Sequence, residues 1–202
     1  RGVLWYSDNG SQTRLMDSKE IRIPGAHNVE NYLAAISAVW GSVSLEAIRK
    51  VAREFPGVEH RIEFVRELDG VKWYNDSIAT SPTRTIAGLR SFDQKLIIIA
   101  GGYDKKIPYE PLAPVLLERA KLLILTWATG PKIEAAVTAC EGFEKSGLRI
   151  LHAKDLEEAV EIARREASEG DIVSLSPASA SFDCYRNFEE RGRHFKELVQ
   201  KL

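Results

Sequence analysis

Three polar segments of the chain contain residue types that could bind an anion. They read NDSIATSPT (75–83), GGYDKK (101–106) and SPASASFDCYRNFEERG (176–192). Each of them follows an apolar run that is typical of a strand. In an open α/β sheet the carboxyl ends of the strands lie at one edge, where ligands usually bind. The sequence therefore predicts a ligand site at the edge of a sheet.

The segment 101–106 places Lys105 and Lys106 in a glycine-containing loop directly after the strand LIIIA (96–100). Two interpretations are open: a flexible turn with solvated lysines, or a loop in which one lysine binds a carboxylate or phosphate. The chain contains neither the dinucleotide fingerprint GxGxxG nor the phosphate-binding pattern GxxxxGK[ST]. It therefore lacks an obvious triphosphate cradle of its own.

The segment 75–83 raises the question of what Asp76 does. Ser81 followed by Pro82 is typical of a helix start, which accounts for the hydroxyl groups but not for the carboxylate. Asp76 could pair with Arg61, hold a ribose hydroxyl or hold a magnesium-bound water. Pairing is the favoured interpretation when the segment is judged alone.

The segment 176–192 is interpreted as a strand-to-helix turn, because IVSLS (172–176) is typical of a buried strand and the residues after it have helical spacing. Hydroxyl and backbone N–H groups at a helix start would suit an anion. The alternative is a well-capped helix without a ligand. We expect both Ser181 and Lys105 to be at least partly exposed.

Other kinds of chemistry find little support in the sequence. The histidines have no cysteine or carboxylate spacing beside them, which argues against a metal site; they are His27, His60, His152 and His194. No GxSxG pattern and no spacing for a Ser-His-Asp triad are present, so covalent nucleophilic catalysis is disfavoured.

The composition is that of a globular protein, with 44% hydrophobic and 28% charged residues among 202. A formal net charge of -1 gives no electrostatic reason to expect a nucleic acid or an acidic membrane as partner. No apolar run is long enough for a membrane span. Cys140 and Cys184 are too few for a disulfide framework, which favours a reducing compartment. We therefore expect a cytoplasmic protein.

Residues 1–58 are predicted to be the trailing part of a larger domain. A hairpin is expected around Asn9 and Gly10, a helix over 27–39, and a second helix capped by Ser44. Because two short helices and a hairpin make a poor core, the body of this domain is expected to be absent from the chain.

Residues 59–202 are predicted to form a Rossmann-like domain, and the boundary is expected between Phe55 and His60. A second hairpin around Asp69-Gly70 is followed by strands that alternate with helices. This alternation is typical of an α/β fold with a mostly parallel sheet that is flanked by helices on both faces.

Taken together, HNVEN (27–31), HR (60–61), NDSIAT (75–80), GGYDK (101–105) and the segment 176–192 resemble the ATP-dependent Mur ligases. The resemblance covers nearly the whole chain and is closest to the branch that adds D-glutamate. It implies a C-terminal fragment lacking the phosphate-binding loop: the end of the central ATP-binding domain, then the amino-acid-binding domain.

The resemblance also implies a reaction. The family activates the carboxylate of a UDP-linked muramoyl substrate with ATP and Mg²⁺, and an amino acid attacks the resulting acyl phosphate during synthesis of the peptidoglycan cell wall. For this branch the substrates would be UDP-N-acetylmuramoyl-L-alanine and D-glutamate. We expect a monomer that is inactive as a fragment, with no tightly bound cofactor and no metal ligands of its own.

The motifs assign roles to individual residues by this resemblance. The nucleotide would be contacted by Asn28 and Asn31 near the adenine and by Arg61 and Asp76 at the ribose and phosphates. Lys105 would be catalytic and would also bind D-glutamate. The other residues expected to bind D-glutamate are Thr80, Ser181, Phe182 through its backbone N–H, and Phe188.

One residue departs from the family pattern. Ile78 stands where the motif usually has a lysine, so either Arg84 or the lysines at 105 and 106 compensate, or that contact is dispensable. Two alternatives for the function stay open: another Mur ligase or a folylpolyglutamate synthase-like ligase, and a non-catalytic Rossmann-like module that binds an anion.

Overall fold

The structure is a computed structural model that describes residues 2–8 and 10–202. The chain divides into two compact units, residues 1–57 and residues 58–202. Each unit has its own hydrophobic core.

Unit 1 contains an antiparallel pair of strands and two helices. The strands are β1 (Val3–Asp8) and β2 (Ser11–Asp17), and the helices are α1 (Ala26–Val39) and α2 (Leu45–Glu54). The predicted turn residue Asn9 lies outside the described residues. Ser44 caps α2 as predicted, because its hydroxyl accepts the backbone N–H of Ala47 at 3.2 Å.

Unit 2 has the mixed α/β architecture that the sequence predicts. Its strands are β3 (Glu63–Leu68), β4 (Val71–Asn75), β5 (Leu96–Gly101), β6 (Ala120–Thr126), β7 (Arg149–His152) and β8 (Ile172–Leu175). Its helices are α3 (Pro82–Leu89), α4 (Ala113–Arg119), α5 (Gly130–Thr138), α6 (Phe143–Ser146), α7 (Leu156–Glu166) and α8 (Phe188–Lys201).

The six strands of unit 2 form one sheet in the order β3-β4-β8-β5-β6-β7. Only β3 and β4 are antiparallel, and Asp69 and Gly70 between them have φ values of 52° and 74°, as a tight hairpin turn requires. All other neighbouring strands run parallel. The last strand in the chain, β8, therefore lies between β4 and β5.

Helices cover both faces of this sheet. The strand β5 is buried along its whole length, and its side chains alternate between two cores. Ile98 packs in the core that includes residues of α3, α4 and α5, whereas Ile97 and Ile99 pack in the core that includes residues of α7 and α8. The sheet is therefore a rigid support for the loops at its carboxyl edge. Within the described residues, no helix has both the length and the apolar character that crossing a membrane requires.

Candidate functional site

The three polar segments singled out in the sequence follow three adjacent strands. They come after β4, β8 and β5, which run parallel and lie side by side in the sheet. Their loops therefore meet at the carboxyl edge of unit 2, which is where α/β proteins bind ligands.

Backbone hydrogen bonds join the loop after β5 to the loop after β8. The N–H of Gly101 donates to the carbonyl of Pro177, and the N–H of Tyr103 donates to the carbonyl of Ala180, both at 2.9 Å. Gly102, with φ of 149°, lies so close to this loop that a Cβ atom would be 2.1 Å from the carbonyl oxygen of Ala180. Only glycine fits there.

Lys105, in the loop after β5, connects this loop to the loop after β4. Its Nζ donates to the backbone carbonyl of Thr80 at 3.4 Å, and its side chain is exposed. A neutral carbonyl does not neutralise the ammonium group, which has three donors in all. Lys105 is thus available to bind an anion beside Thr80.

Ser181 differs from the expectation that it would be partly exposed. Only 2% of the residue is accessible, and its carbonyl accepts the N–H groups of Cys184 and Tyr185. The next residue, Phe182, is 63% exposed, and its ring contacts that of Tyr103 at a centroid distance of 6.1 Å. Burial of Ser181 follows from the turn that its carbonyl closes.

The prediction that helical structure follows directly after Phe182 is wrong as well. The helix α8 begins at Phe188, where Asn187 caps it by accepting the N–H of Glu190 at 2.8 Å. The side chain of Glu190 in turn accepts the N–H of Arg186. These reciprocal bonds fix the start of the helix six residues beyond Phe182.

Phe188 contacts residues at the same sheet edge with both its ring and its backbone. Its ring contacts the imidazole of His60 edge to face at 5.9 Å, and its carbonyl accepts the hydroxyl of Ser77 at 2.7 Å. It is half-buried. These contacts hold Phe188 against His60 and Ser77, and the residue is still partly exposed to solvent.

Arg191 is the residue that the sequence interpretation missed. It is 0% exposed, and its guanidinium donates to the hydroxyl and carbonyl of Ser77 and to the carbonyls of Ser179 and Ala180 at 2.9–3.2 Å. Burial lowers its pKa to about 10. Arg191 thus connects the loop after β4 to the loop after β8.

A signal for this role was present in the sequence. Phe188, Arg191, Phe195 and Val199 recur at helical spacing, so that Arg191 lies on the apolar face of α8. A charged residue on such a face is rarely buried without specific partners.

Asp76 is also buried, with 4% exposure. Its carboxylate accepts the N–H of Ile62 at 3.3 Å and the hydroxyl of Ser176 at 2.9 Å. Burial raises its pKa to about 7, although the charges of Arg61 and Arg84 act in the opposite direction. Arg61 is exposed, and the ion pairs among the described residues do not include one between Arg61 and Asp76. The favoured pairing is therefore wrong for this conformation.

One cluster near His60 contains enough acidic and imidazole groups to consider a metal. Ligand atoms of Glu59, His60 and Glu63 lie within 4.8 Å of one another, the one such group found among residues 2–8 and 10–202. However, Lys196 already donates to Glu59 at 2.6 Å and to Glu63 at 2.9 Å. The ammonium group occupies the position that a cation would take.

The hydrogen bonds of Asn75 argue further against a metal on His60. The side-chain oxygen of Asn75 accepts the N–H of Ser77, so its NH₂ group faces both Glu63 and the Nδ1 atom of His60, at 3.0 and 2.9 Å. Nδ1 must then accept a hydrogen bond, which leaves the proton of the neutral imidazole on Nε2. A protonated Nε2 cannot be a metal ligand.

Asn28 and Asn31 lie in unit 1, on the first two turns of α1. The side-chain NH₂ of Asn28 donates to the carbonyl of Pro24 at 2.6 Å, and that of Asn31 donates to the side-chain oxygen of Asn28 at 3.4 Å. Asn31 is exposed. Amide side chains have the donors and acceptors that can pair with an adenine edge.

The fold is that of an α/β domain whose polar loops gather at the carboxyl edge of a mostly parallel sheet, the edge where such domains usually bind ligands. Residues 60–179 match the family described as Mur ligase, glutamate ligase domain. The chain belongs to the Mur ligase family.

Relatives with assigned names agree with this membership. The chain is 56% identical over 204 residues to the UDP-N-acetylmuramoylalanine--D-glutamate ligase of Acetivibrio thermocellus, covering 99% of the chain and 43% of that protein. It is 53% identical over 201 residues to the ligase of the same name from Clostridium beijerinckii, covering 100% and 43%. The chain thus spans about 43% of the length of these curated relatives.

Solved structures show the same fold at low sequence identity. A pseudomurein peptide ligase type C from Methanothermus fervidus superposes with a TM-score of 0.68 at 16% identity, covering 98% of this chain and 40% of that one. A folylpolyglutamate synthase from Mycobacterium tuberculosis, complexed with ADP, has a TM-score of 0.62 at 15% identity, covering 96% and 46%.

Proposed function

We propose that this chain supplies the D-glutamate site and part of the nucleotide site of an ATP-dependent ligase, which joins D-glutamate to UDP-N-acetylmuramoyl-L-alanine in peptidoglycan synthesis. The observation that carries the proposal is the junction of three loops at Thr80, Lys105 and Ala180, with an exposed ammonium group at its centre. The names of the relatives support the choice of substrates.

The residues of unit 2 would position the amino acid. Lys105 would pair with a carboxylate of D-glutamate, the N–H of Phe182 would donate to it, and Thr80 and Ser181 would complete the polar wall. Phe188 would form the apolar wall. Because Ser181 is buried by the turn at Cys184, its hydroxyl would meet the ligand from the floor of the site.

The proposed reaction forms one C–N bond and breaks one C–O bond. The free amine of D-glutamate attacks the carbonyl carbon of the acyl phosphate, inorganic phosphate leaves, and the nitrogen loses a proton to give the amide. Unit 2 would contribute positioning of the amine, a large factor when two substrates must meet in one orientation. Lys105 would hold the incoming amino acid and offset its negative charge.

The nucleotide contacts are proposed for Asn28, Asn31, Arg61 and Asp76. Arg61 is exposed and suits a phosphate, whereas the carboxylate of Asp76 faces the interior and would have to turn to reach a ribose. ATP supplies the phosphoryl group that activates the carboxylate. Mg²⁺ would be held mostly by the remainder of the enzyme, since Asp76 is turned inward and Lys196 bonds to Glu59 and Glu63.

Unit 1 is proposed to be the end of the central ATP-binding domain and unit 2 to be the amino-acid-binding domain. The coverage of about 43% of each relative supports this division of a longer, monomeric enzyme. Both cysteines, Cys140 and Cys184, are free thiols, which supports a reducing cytoplasm.

An NMR titration tests the proposal directly. D-glutamate and L-glutamate are added separately while the amides of Thr80, Lys105, Ser181, Phe182 and Phe188 are followed. We expect these amides to shift with D-glutamate and not with L-glutamate. A response to L-glutamate or a diamino acid instead would assign the chain to a ligase with another substrate, and a response to no amino acid would contradict the proposed site in this chain.

A further inference from the structure

A buried cluster of three hydroxyl groups lies beneath the candidate amino-acid site. The hydroxyl of Ser179 is 2.8 Å from that of Tyr109 and 2.8 Å from that of Thr129. These residues are 1%, 4% and 0% exposed, respectively. Each hydroxyl can donate one hydrogen bond and accept others, so Ser179 can bond to both of its neighbours at once.

The cluster joins three loops of the sheet edge. Ser179 belongs to the loop after β8, Tyr109 to the segment between β5 and α4, and Thr129 to the loop after β6. The backbone N–H of Thr129 also donates to the carbonyl of Gly102 at 3.1 Å. The loop that contains Lys105 and the loop that contains Ser181 are therefore anchored to the same point.

Ser179 is held from its backbone as well. Its carbonyl accepts two N–H groups of Arg191 at 3.2 Å. The preceding residue, Ala178, has φ of 56°, a left-handed conformation that costs a non-glycine residue free energy. Such a conformation persists only when surrounding contacts fix it, and the hydroxyl cluster provides contacts of this kind.

We propose that Tyr109 is a positioning residue for the amino-acid site, acting through Ser179 on the backbone of residues 177–182. This inference rests on the proposed function for its ligand, D-glutamate. The hydroxyl of Tyr109 belongs to a buried residue and bonds to Ser179; through this bond it would fix the position of the loop that contains Ser181 and Phe182. Because the tyrosine ring packs in the core while its hydroxyl reaches Ser179, removal of one oxygen atom separates positioning from packing.

The test compares Tyr109→Phe with Tyr74→Phe, a matched control in the same unit whose ring packs against the same core. Amide hydrogen exchange is measured without ligand at Gly101 and Tyr103, whose N–H groups bond to the loop after β8. We expect about a 10-fold faster exchange at these two amides in Tyr109→Phe, with the amide of Ile98 in β5 unchanged. The control should change none of them.

The second measurement is the affinity for D-glutamate. We expect about a 5-fold weaker affinity in Tyr109→Phe and at least as large a loss in Ser179→Ala, which also removes the contact with Thr129. The double variant should bind no more weakly than Ser179→Ala, because Tyr109→Phe removes a link that Ser179→Ala has already removed. Additive losses, or equal changes of exchange at Ile98 and Tyr103, would overturn the inference, since they indicate a general loss of stability.

The two measurements also separate this inference from the proposed function. If the unsubstituted chain binds no D-glutamate, the proposed function fails, and the exchange at Gly101 and Tyr103 still decides whether Tyr109 positions the loop. If D-glutamate binds and exchange at these amides is unaffected by Tyr109→Phe, the positioning role fails while the proposed function stands.

Discussion

The sheet edge of unit 2 carries two kinds of charged residue that differ in burial. Asp76 and Arg191 are 4% and 0% exposed, and they bond to the backbone or hydroxyls of their own unit. Arg61 and Lys105 are exposed. Motif residues at one sheet edge therefore divide between those that shape the loops and those that can contact a ligand.

The two kinds of residue should respond differently to substitution. Removing a buried charged group whose partners are also buried lowers the free energy of unfolding, because the partners lose their hydrogen bonds. Removing an exposed charge changes stability little and affects ligand affinity instead. Each substitution below tests whether a residue belongs to the class that its burial indicates.

The largest effect is expected for Arg191→Met, which leaves the carbonyls of Ser77 and Ser179 without their side-chain donor and the carbonyl of Ala180 with the N–H of Tyr103 alone. We expect unit 2 to lose about 3 kcal/mol of unfolding free energy. Urea unfolding followed by the indole NMR signal of buried Trp73 measures this loss. Arg193→Met, an exposed position on the same helix, is the control, and equal stability of the two variants would refute the role assigned to Arg191.

A smaller, pH-dependent effect is expected for Asp76→Asn. The pKa of Asp76 in the folded protein, about 7, lies above the ordinary value of 3.8. Folding therefore favours the protonated carboxyl, and this stabilisation is fully present below pH 3.8 and is lost as the pH rises through 7. Asparagine does not titrate, so it removes this dependence on pH.

The measurement is the unfolding free energy of both proteins at pH 5 and pH 8. Between these values we expect the stability of Asp76→Asn to rise by roughly 2 kcal/mol relative to the unsubstituted protein. If the difference in unfolding free energy between the two proteins does not change with pH, burial does not destabilise the carboxylate of Asp76.

Lys105→Met should affect binding more than folding. We expect at least a 10-fold loss of D-glutamate affinity, roughly 1.4 kcal/mol, because the ligand carboxylate loses its opposing charge. Lys106→Met removes an equal charge one residue away and should bind D-glutamate normally. Calorimetric titration of both variants distinguishes a specific contact from a general attraction, which would weaken binding equally in the two.

The smallest effect on stability is expected for Arg61→Gln. Since Arg61 is exposed, the unfolding free energy of Arg61→Gln should stay within about 0.5 kcal/mol of that of the unsubstituted protein. The same urea unfolding experiment measures it. A loss comparable to that of Arg191→Met would mean that exposure does not separate the two classes of charge.

The elements of unit 2 could be predicted from sequence because local signals agreed with one another. Asp69-Gly70 specifies a hairpin turn, Asp155 accepts the N–H of Glu158 as a cap, and β5 is an uninterrupted apolar run. The start of α8 is misplaced when apolar spacing alone is used, because that spacing begins before Asn187. The signal that selects the first turn is the pair Asn187 and Glu190, three residues apart, whose side chains cap the helix.

The directions of the side chains at the site could not be predicted from the sequence, because contacts distant along the chain set them. Asp76 turns inward because Ile62 and Ser176 are donors, and Ser176 lies directly after β8, a hundred residues away along the chain. The burial of Ser181 depends likewise on a turn closed by Tyr185. Motifs identify which residues gather at the edge, and long-range contacts decide which of them face the ligand.

The position of β8 has a consequence for how the protein is made. During synthesis the chain emerges with β3-β4 and β5-β6-β7 as two incomplete half-sheets, because the strand that lies between them comes last. Until β8 inserts, the inner edges of β4 and β5 expose unpaired backbone groups to other chains. Nascent unit 2 should therefore depend on protection from aggregation until β8 has left the ribosome and has paired with β4 and β5.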